Sequence, residues 1–391
     1  MNRSSRVLKL TPGVNMSLAA VGALGSLAIH MFVPAMPQVA TDLHASPAMI
    51  EFAVTIYLIG LGTGQLVAGP ISDRIGRRPV LIGGLILFTL AAAGCALASS
   101  AWMLLAFRAV QALGAAAGIL SVRAIVADLS ENHEVAAKMA ALMAVLLISP
   151  AISPLIGGLI ASSLGGWRVI FAVLALWGAT ATTGCYLFLP ETAVRYRDRD
   201  VPVATYFRLL RNSRFLCFAG GIACSSCALY IFLAASPFLF VDRYGMALGH
   251  TGICYIPVAC ASIAATFLVG RVETLGGAFW LGLASIVIGA ALLVAIALAR
   301  LDNPVTLVGA MMFVGFGCGL AGPAGLAGAI RAEEGAAGTS ASLAGALQMI
   351  VSGGTASLIA RLSIGTPLAM AIAILAVSAV GLMLAQRGRA V

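Results

Sequence analysis

Residues 64–80 read GQLVAGPISDRIGRRPV, and the rest of the chain is divided by how this stretch is understood. It concentrates Asp73, Arg74, Arg77 and Arg78 between two apolar runs, 49–70 and 80–98. A helix needs about 20 mostly apolar residues to cross the hydrocarbon core of a bilayer. The charged stretch therefore reads as a short turn between two membrane-spanning helices.

The same pattern extends in both directions. Apolar segments occupy 14–36, 49–70, 80–98, 102–127, 137–161, 167–189, 215–240, 250–270, 277–299, 304–328, 338–362 and 366–385. Of the 391 residues, 61% are hydrophobic and 9% charged, and the mean hydropathy is +1.04. A soluble domain carries about 25% charged residues, so the composition excludes one of any size. With Arg3, Arg6 and Lys9 ahead of a run longer than 20 residues, the N-terminus reads as a first span, not a cleaved leader. No G-x-x-x-x-G-K-[ST] loop is present, so ATP hydrolysis is not expected. The expected fold is an all-α membrane protein of twelve transmembrane helices in two pseudo-symmetric six-helix bundles.

The division falls at the one long polar connection, 190–214, giving a bundle at 1–194, a basic linker at 195–214 and a second bundle at 215–391. Two weak internal matches support it. Asp73 and Gly76 are echoed by Glu273 and Gly276, and Gly157-Gly158 by Gly353-Gly354, both about 200 residues apart. Duplicated halves are a mark of transporters.

The net charge of +9, from 23 Lys and Arg against 14 Asp and Glu, would suggest nucleic acid in a soluble protein. Here it is first a topology signal, because cytoplasmic loops collect Lys and Arg. With a cytoplasmic N-terminus, eighteen of the 23 fall inside, and Arg168, Arg243, Arg300 and Arg361 fall outside. Arg108 alone lies within a span. Both termini are then cytoplasmic, the membrane expected is the bacterial inner membrane, and no nucleic-acid partner is called for. The eight cysteines sit almost wholly in apolar segments, and Cys224-Ser-Ser-Cys227 has no second pair. Neither a metal nor a cofactor is expected. Nor is an enzyme, since no span offers clustered carboxylates or a nucleophile with its base.

Gly69, Asp73, Arg74, Gly76, Arg77 and Arg78 resemble the loop motif of the major facilitator superfamily, a glycine followed by D-R-x-G-R-R. The resemblance implies that Asp73 works in a cytoplasmic gate, with a partner near Gly338-Thr339-Ser340; the plainer reading is a positive-inside loop. Arg108, Gln111 and Gly114 resemble the superfamily's R-x-x-Q-G-x-G element, with Ala112 replacing a glycine, which implies a role for Arg108 in proton handling or substrate binding. The alternative is a structural arginine satisfied by carbonyls. Pro150, Ser153, Pro154, Gly157 and Gly158 are similar to the exporters' G-P-x-x-G-G element, with Ser153 in place of glycine, and favour antiport over import. Pro34-Ala-Met-Pro37, Gly166-Trp167-Arg168 with Phe171, Leu189-Pro-Glu-Thr192 and Glu334 to Ser342 with Gln348-Met349 resemble the Bcr/CflA branch of drug:proton antiporters, which handle bicyclomycin, chloramphenicol and florfenicol-type compounds.

One departure matters. Relatives commonly carry an acidic residue before M-x-L-P in the first span, where this chain has His30-Met-Phe-Val-Pro34. No Asp or Glu lies mid-span. His30 is the only histidine within a span, and its unperturbed pKa near 6.5 suits a proton carrier. It is expected to replace the missing carboxylate, with Arg108 and Glu51 as neighbours; the other reading is a packed histidine bonded to a carbonyl. Tyr57 and Gln65, eight apart on the second span, are expected to share a face. With Gln111, Tyr230, Phe232, Phe238 and Met349 they are candidates to line a mostly apolar pocket. The function expected is proton-coupled multidrug efflux by alternating access, with a small amphipathic substrate, protons and the bilayer as partners and a monomer as the working unit. Export of an endogenous metabolite or siderophore, uptake by symport, and a receptor or scaffold are the alternatives.

Overall fold

The computed structural model describes residues 12–128, 149–163, 165–191, 203–272, 274–333, 336–362 and 366–390. In the first half, α1 runs Pro12–His30 and is carried on by a 3-10 turn, Val33–Ala35, and α2, Met36–Asp42. There follow α3 (Pro47–Ile75), α4 (Arg77–Ala96), α5 (Ala101–Asp128), α6 (149–163) and α7 (Trp167–Phe188). The second half holds α9 (Ser213–Phe238), α10 (Leu248–Thr251), α11 (Tyr255–Leu268), α12 (Leu275–Leu298), α13 (Pro304–Arg331), α14 (Ala337–Leu362) and α15 (Pro367–Ala390). Within the connection expected as a linker, Val203–Arg211 forms a short helix, α8. Among the described residues, eleven helical runs are long and apolar enough to cross a membrane. The described part of the fifth predicted span, α6, is helical too, in keeping with the twelve-helix fold. Helices are the form expected here, because inside a bilayer every backbone N–H and C=O must find its partner within the protein.

Polar side chains mark where helices begin. The Ser46 hydroxyl accepts the Met49 N–H at 3.3 Å, with Pro47 at the first helical position. Asn303 accepts from Val305 and Thr306 at 2.9 and 3.0 Å ahead of Pro304, and Asn212 accepts from Phe215 at 3.1 Å. Such caps satisfy N–H groups that have no helical partner, so adjacent spans are joined by only a few residues. The ends bearing Arg74, Arg77, Arg78, Arg271 and Arg331 form one basic face. On the opposite face, Asp42 accepts from the Trp167 indole at 2.9 Å, and Asp302 accepts from Arg243 and Tyr244, each at 2.9 Å.

Both halves pair their helices alike. α5 packs on α1, α3 and α4, as α13 packs on α9, α11 and α12; α7 packs on α1 and α4, as α15 packs on α9 and α12. The equivalence extends to single residues. Gly84 and Gly114 meet where α4 crosses α5, and Gly282 and Gly317 meet where α12 crosses α13. This paired crossing marks the internal repeat more firmly than the loop motifs do. Small residues are the means of such close crossings, because lipid tails are as apolar as leucine and association relies on tight packing.

A Cβ on Gly114 would lie 2.5 Å from the Gly84 carbonyl oxygen and 2.6 Å from the Phe88 nitrogen, backbone atoms that cannot yield. Gly114→Leu is expected to cost about 1–3 kcal/mol by overpacking and to lower the unfolding temperature of the purified protein in detergent. Gly83→Leu is the control, since a Cβ there meets nothing within 4 Å. Equal unfolding temperatures for the two variants would refute the crossing as a determinant of stability.

Candidate functional site

The helix α1 ends at His30, so its last-turn carbonyls beyond that of Leu27, which the Met31 N–H meets, have no continuing helical N–H to pair with. Arg108, on α5 and 0% exposed, takes one of them: its Nη1 donates to the Ala28 oxygen at 2.9 Å and to Gln111 Oε1 at 2.9 Å. Its Nε makes a longer contact, 3.5 Å, to the Ala53 oxygen on α3. The guanidinium lies 4.1 Å from the ring centre of Tyr57, 5.1 Å from Phe32 and 5.8 Å from Phe171. Tyr57 in turn donates to the Gly25 oxygen at 3.3 Å. Among the described residues no carboxylate pairs with Arg108, and its Nη2 and the Gln111 amide nitrogen are buried without a hydrogen-bond partner. Carbonyl dipoles and ring faces thus hold the charge, and α1, α3 and α5 are drawn together around it.

His30 closes α1. Its Nδ1 lies 2.8 Å from the Ser26 oxygen, and since a carbonyl only accepts, Nδ1 carries the proton in the neutral ring. Nε2 is then the free acceptor. His30 lines a cavity of about 180 Å³ between the halves, together with Pro150 of α6, Tyr230 of α9, Tyr255 and Ser262 of α11, and Gly315 of α13. Glu51 and Phe238 are elsewhere, in a cavity of about 500 Å³ toward the face opposite the basic one, with Asp242, Arg243 and Met370.

The expected residues are therefore distributed over separate places. His30 and Tyr230 share one cavity, Glu51 and Phe238 a second, and Arg108, Gln111 and Tyr57 a buried cluster. Tyr57 and Gln65 do not share a face in the sense expected, because eight residues at about 100° each leave them about 80° apart. Tyr57 turns into the first bundle, whereas Gln65 meets the second: a Cβ on Gly345 would lie 3.3 Å from its Oε1. Met349 lies at the same α3–α14 seam, 3.2 Å from a Cβ built on Gly62. Neither Gln65 nor Met349 lines either cavity.

The helix carrying the exporter-type element is pressed between neighbours. Pro150 faces the smaller cavity, and the Ser153 hydroxyl bonds back to the Ser149 carbonyl. Gly157 abuts the Met31 backbone, and a Cβ on Gly158 would lie 3.2 Å from the Leu248 oxygen. On α10's far side, a Cβ on Gly252 would lie 2.5 Å from the Pro154 oxygen, so the halves touch backbone to backbone here.

In the loop motif, Gly76 has φ +113°, a conformation that L side chains rarely adopt. The turn aims the first N–H groups of α4 at Glu191, which accepts from Arg77 at 3.0 Å and Arg78 at 3.3 Å. Arg78 also donates to the Tyr186 oxygen at 2.7 Å, and Arg77 to the Ser72 hydroxyl at 3.2 Å. The Asp73 side chain lies outside the described residues. Glu191 was legible in sequence only as part of Leu189-Pro-Glu-Thr192; its charge on the same face as the arginine loop was the available signal.

With this geometry in view, the likenesses to other proteins can be weighed. The family model described as Major Facilitator Superfamily matches residues 18–353. The chain belongs to the major facilitator superfamily. It is 31% identical to the chloramphenicol resistance protein of Pseudomonas aeruginosa, over 82% of this chain and 77% of that one. It is 26% identical to a bicyclomycin resistance protein homolog of Haemophilus influenzae, over 90% and 89% of the two chains. These names fall in the Bcr/CflA branch that the motifs resemble. The crystal structure of a D-xylose-proton symporter superposes with a TM-score of 0.79 at 15% identity, covering 96% of each chain, a likeness of fold alone. The superfamily member described here is thus a multi-pass membrane transporter.

Glu191→Ala removes the carboxylate from two helix-terminal N–H groups, a cap worth about 0.5–2 kcal/mol. Faster hydrogen exchange is expected at the amides of Arg77 and Arg78, with the α5 amides around Arg108 unchanged. Unaltered exchange at both arginines would refute the cap.

Proposed function

We propose that this chain is a proton-coupled exporter of small amphipathic compounds, drugs among them, working by alternating access of its two halves. The observation that carries this is the cavity between the halves, where among the described lining residues His30 is the sole ionisable side chain besides two tyrosines. The resistance proteins named above support drug export as the direction and cargo. His30 is the proton carrier in this reading: Nε2 takes a proton when the cavity is open to the outside and loses it toward the cytoplasm. Arg108 keeps α1 in place so that His30 faces the cavity, and the absence of a mid-span carboxylate leaves the histidine to change charge. Glu51 and Asp242 line the second cavity, toward the face opposite the basic one. The arginine distribution supports a cytoplasmic basic face and cytoplasmic termini in a bacterial inner membrane. Each chain holds both halves of its path, which fits a monomer.

The test is export in everted vesicles energised by an imposed pH gradient. The wild type is expected to move chloramphenicol in a protonophore-sensitive manner. His30→Ala should reduce pH-driven export at least about tenfold, equivalent to roughly 1.4 kcal/mol. Arg108→Lys, which cannot reproduce a planar fork among carbonyls and rings, should lower export and also unfolding temperature. Full pH-driven export by His30→Ala refutes the role given to His30; no pH-driven movement of any amphipathic compound by the wild type refutes the exporter reading.

A further inference from the structure

At the end of α12 the chain turns through Arg300, whose φ is +57°. The Arg300 N–H donates to the Ala297 oxygen at 3.3 Å and the Leu301 N–H to the Ile296 oxygen at 3.0 Å, the paired bonds of a Schellman turn. Glycine fills this left-handed position most readily, because an L side chain there is crowded by its own backbone. The helix dipole favours a cation near a helix C-terminus, but an arginine elsewhere in the last turn would meet that need without strain. A strained arginine points instead to something that its side chain holds.

Arg300 opens onto a cleft of about 690 Å³ on the face opposite the basic one. The cleft is lined also by Arg243 and Tyr244 from the turn after α9, Asp302 from the α12–α13 turn, and Thr366 ahead of α15. All of these belong to the second half. Arg243 and Thr366 also edge the larger cavity, whereas Tyr244, Arg300 and Asp302 face the cleft alone.

Charge and surface narrow the occupant. Asp302 is engaged, accepting from Arg243 and Tyr244 at 2.9 Å each. Among the described residues no carboxylate pairs with Arg300. Two guanidiniums against one carboxylate leave the cleft one positive charge in excess. Leu298, Leu301 and Val305, which flank Arg300 in the turn, are 66%, 63% and 79% exposed. A small free anion makes no use of those side chains, whereas an anion with acyl chains covers them.

We propose that this cleft holds the phosphodiester of an anionic phospholipid, bound by the Arg300 guanidinium, with its chains along Leu298, Leu301 and Val305. A guanidinium meets two phosphate oxygens at once. One surplus positive charge matches a headgroup with one net negative charge. A zwitterionic headgroup would bring an ammonium that finds Asp302 already taken. The site stands apart from cargo and proton, and its occupation fastens the α12–α13 turn to the leaflet.

The test uses the purified full-length protein, stripped of lipid in detergent. Dioctanoyl phosphatidylglycerol, dioctanoyl phosphatidylcholine and inorganic phosphate are titrated calorimetrically as separate probes, and the unfolding temperature is followed. Arg300→Gly removes the guanidinium and relieves the turn; Arg300→Ala removes it and keeps the strain. Arg271→Gln, at an exposed arginine of the basic face, is the control. Wild type and Arg271→Gln are expected to bind phosphatidylglycerol at least about tenfold more tightly than either Arg300 variant, as for a charged hydrogen bond. Without lipid, Arg300→Gly should unfold at or above the wild-type temperature, so that its lost binding is not a loss of fold. Equal phosphatidylglycerol affinity in wild type and Arg300→Gly overturns the site. An equal loss in Arg271→Gln does so too, by showing attraction to overall charge. Phosphatidylcholine bound as tightly as phosphatidylglycerol overturns the anionic class, and inorganic phosphate bound as tightly overturns the lipid in favour of a free anion.

Discussion

The burial of Arg108 organises the first half of the molecule. A guanidinium deep in a membrane protein is costly by any scale, and it persists only where its donors and charge are met. Here the answer comes from backbone: α1 ends at His30, leaving a last-turn carbonyl at Ala28 for Nη1. Three aromatic rings from three elements then close around the cation. The same break in α1 that supplies the acceptor also ends the helix at His30, so the site for the charge and the place of the histidine have one cause.

A second constraint is geometric. The crossings within each half use glycine pairs at matched places, Gly84 with Gly114 and Gly282 with Gly317. Between the halves the contacts are also glycine-based, yet of another character. Gly62 meets α14, Gly353 meets the Thr55 carbonyl, and Gly252 meets Pro154. Surfaces made of small side chains and backbone hold no deep knobs, so they separate without withdrawing large groups from pockets. Interfaces of that kind suit rigid-body rocking of one half on the other. The ion pairs on the face opposite the basic one, Asp42 with Arg168 and Asp302 with Arg243, lie each within a single half and leave that motion free.

What could be read from the sequence follows from which forces are local. Span number and the six-plus-six division come from hydropathy and Arg distribution, which are additive along the chain, and the described helices agree with them. The interruption of the eighth span into α10, a 3-10 turn and α11 was not read in advance, although its signal is there: Pro257 has no N–H for the Ile253 carbonyl, which lies in the 3-10 turn. Arg108, Gln111 and His30 could be singled out as polar residues in apolar runs, but their partners are largely carbonyls, and a carbonyl has no residue identity to read. Tyr57 and Gln65 were grouped by a spacing that is only roughly helical, and the 80° remainder sends them to different bundles. Glu191 stands more than a hundred residues from the amides it accepts, a pairing that only the folded chain reveals.

The separation of the two cavities bears on how coupling is achieved. A ligand shifts a conformational equilibrium only by its difference in affinity between the two states. A pocket with His30 and Pro150 on one half and Tyr230, Tyr255 and Ser262 on the other has that difference built in, because drawing the halves apart dismantles the wall around the ligand. Under the proposed reading, the proton carrier and the cargo meet in this one pocket. A proton on His30 Nε2 removes the acceptor that a neutral ligand's donor would use, and it introduces charge into a wall that has no carboxylate to receive it. Under the proposed reading, cargo and proton exclude one another through that single nitrogen, which is the requirement for exchange.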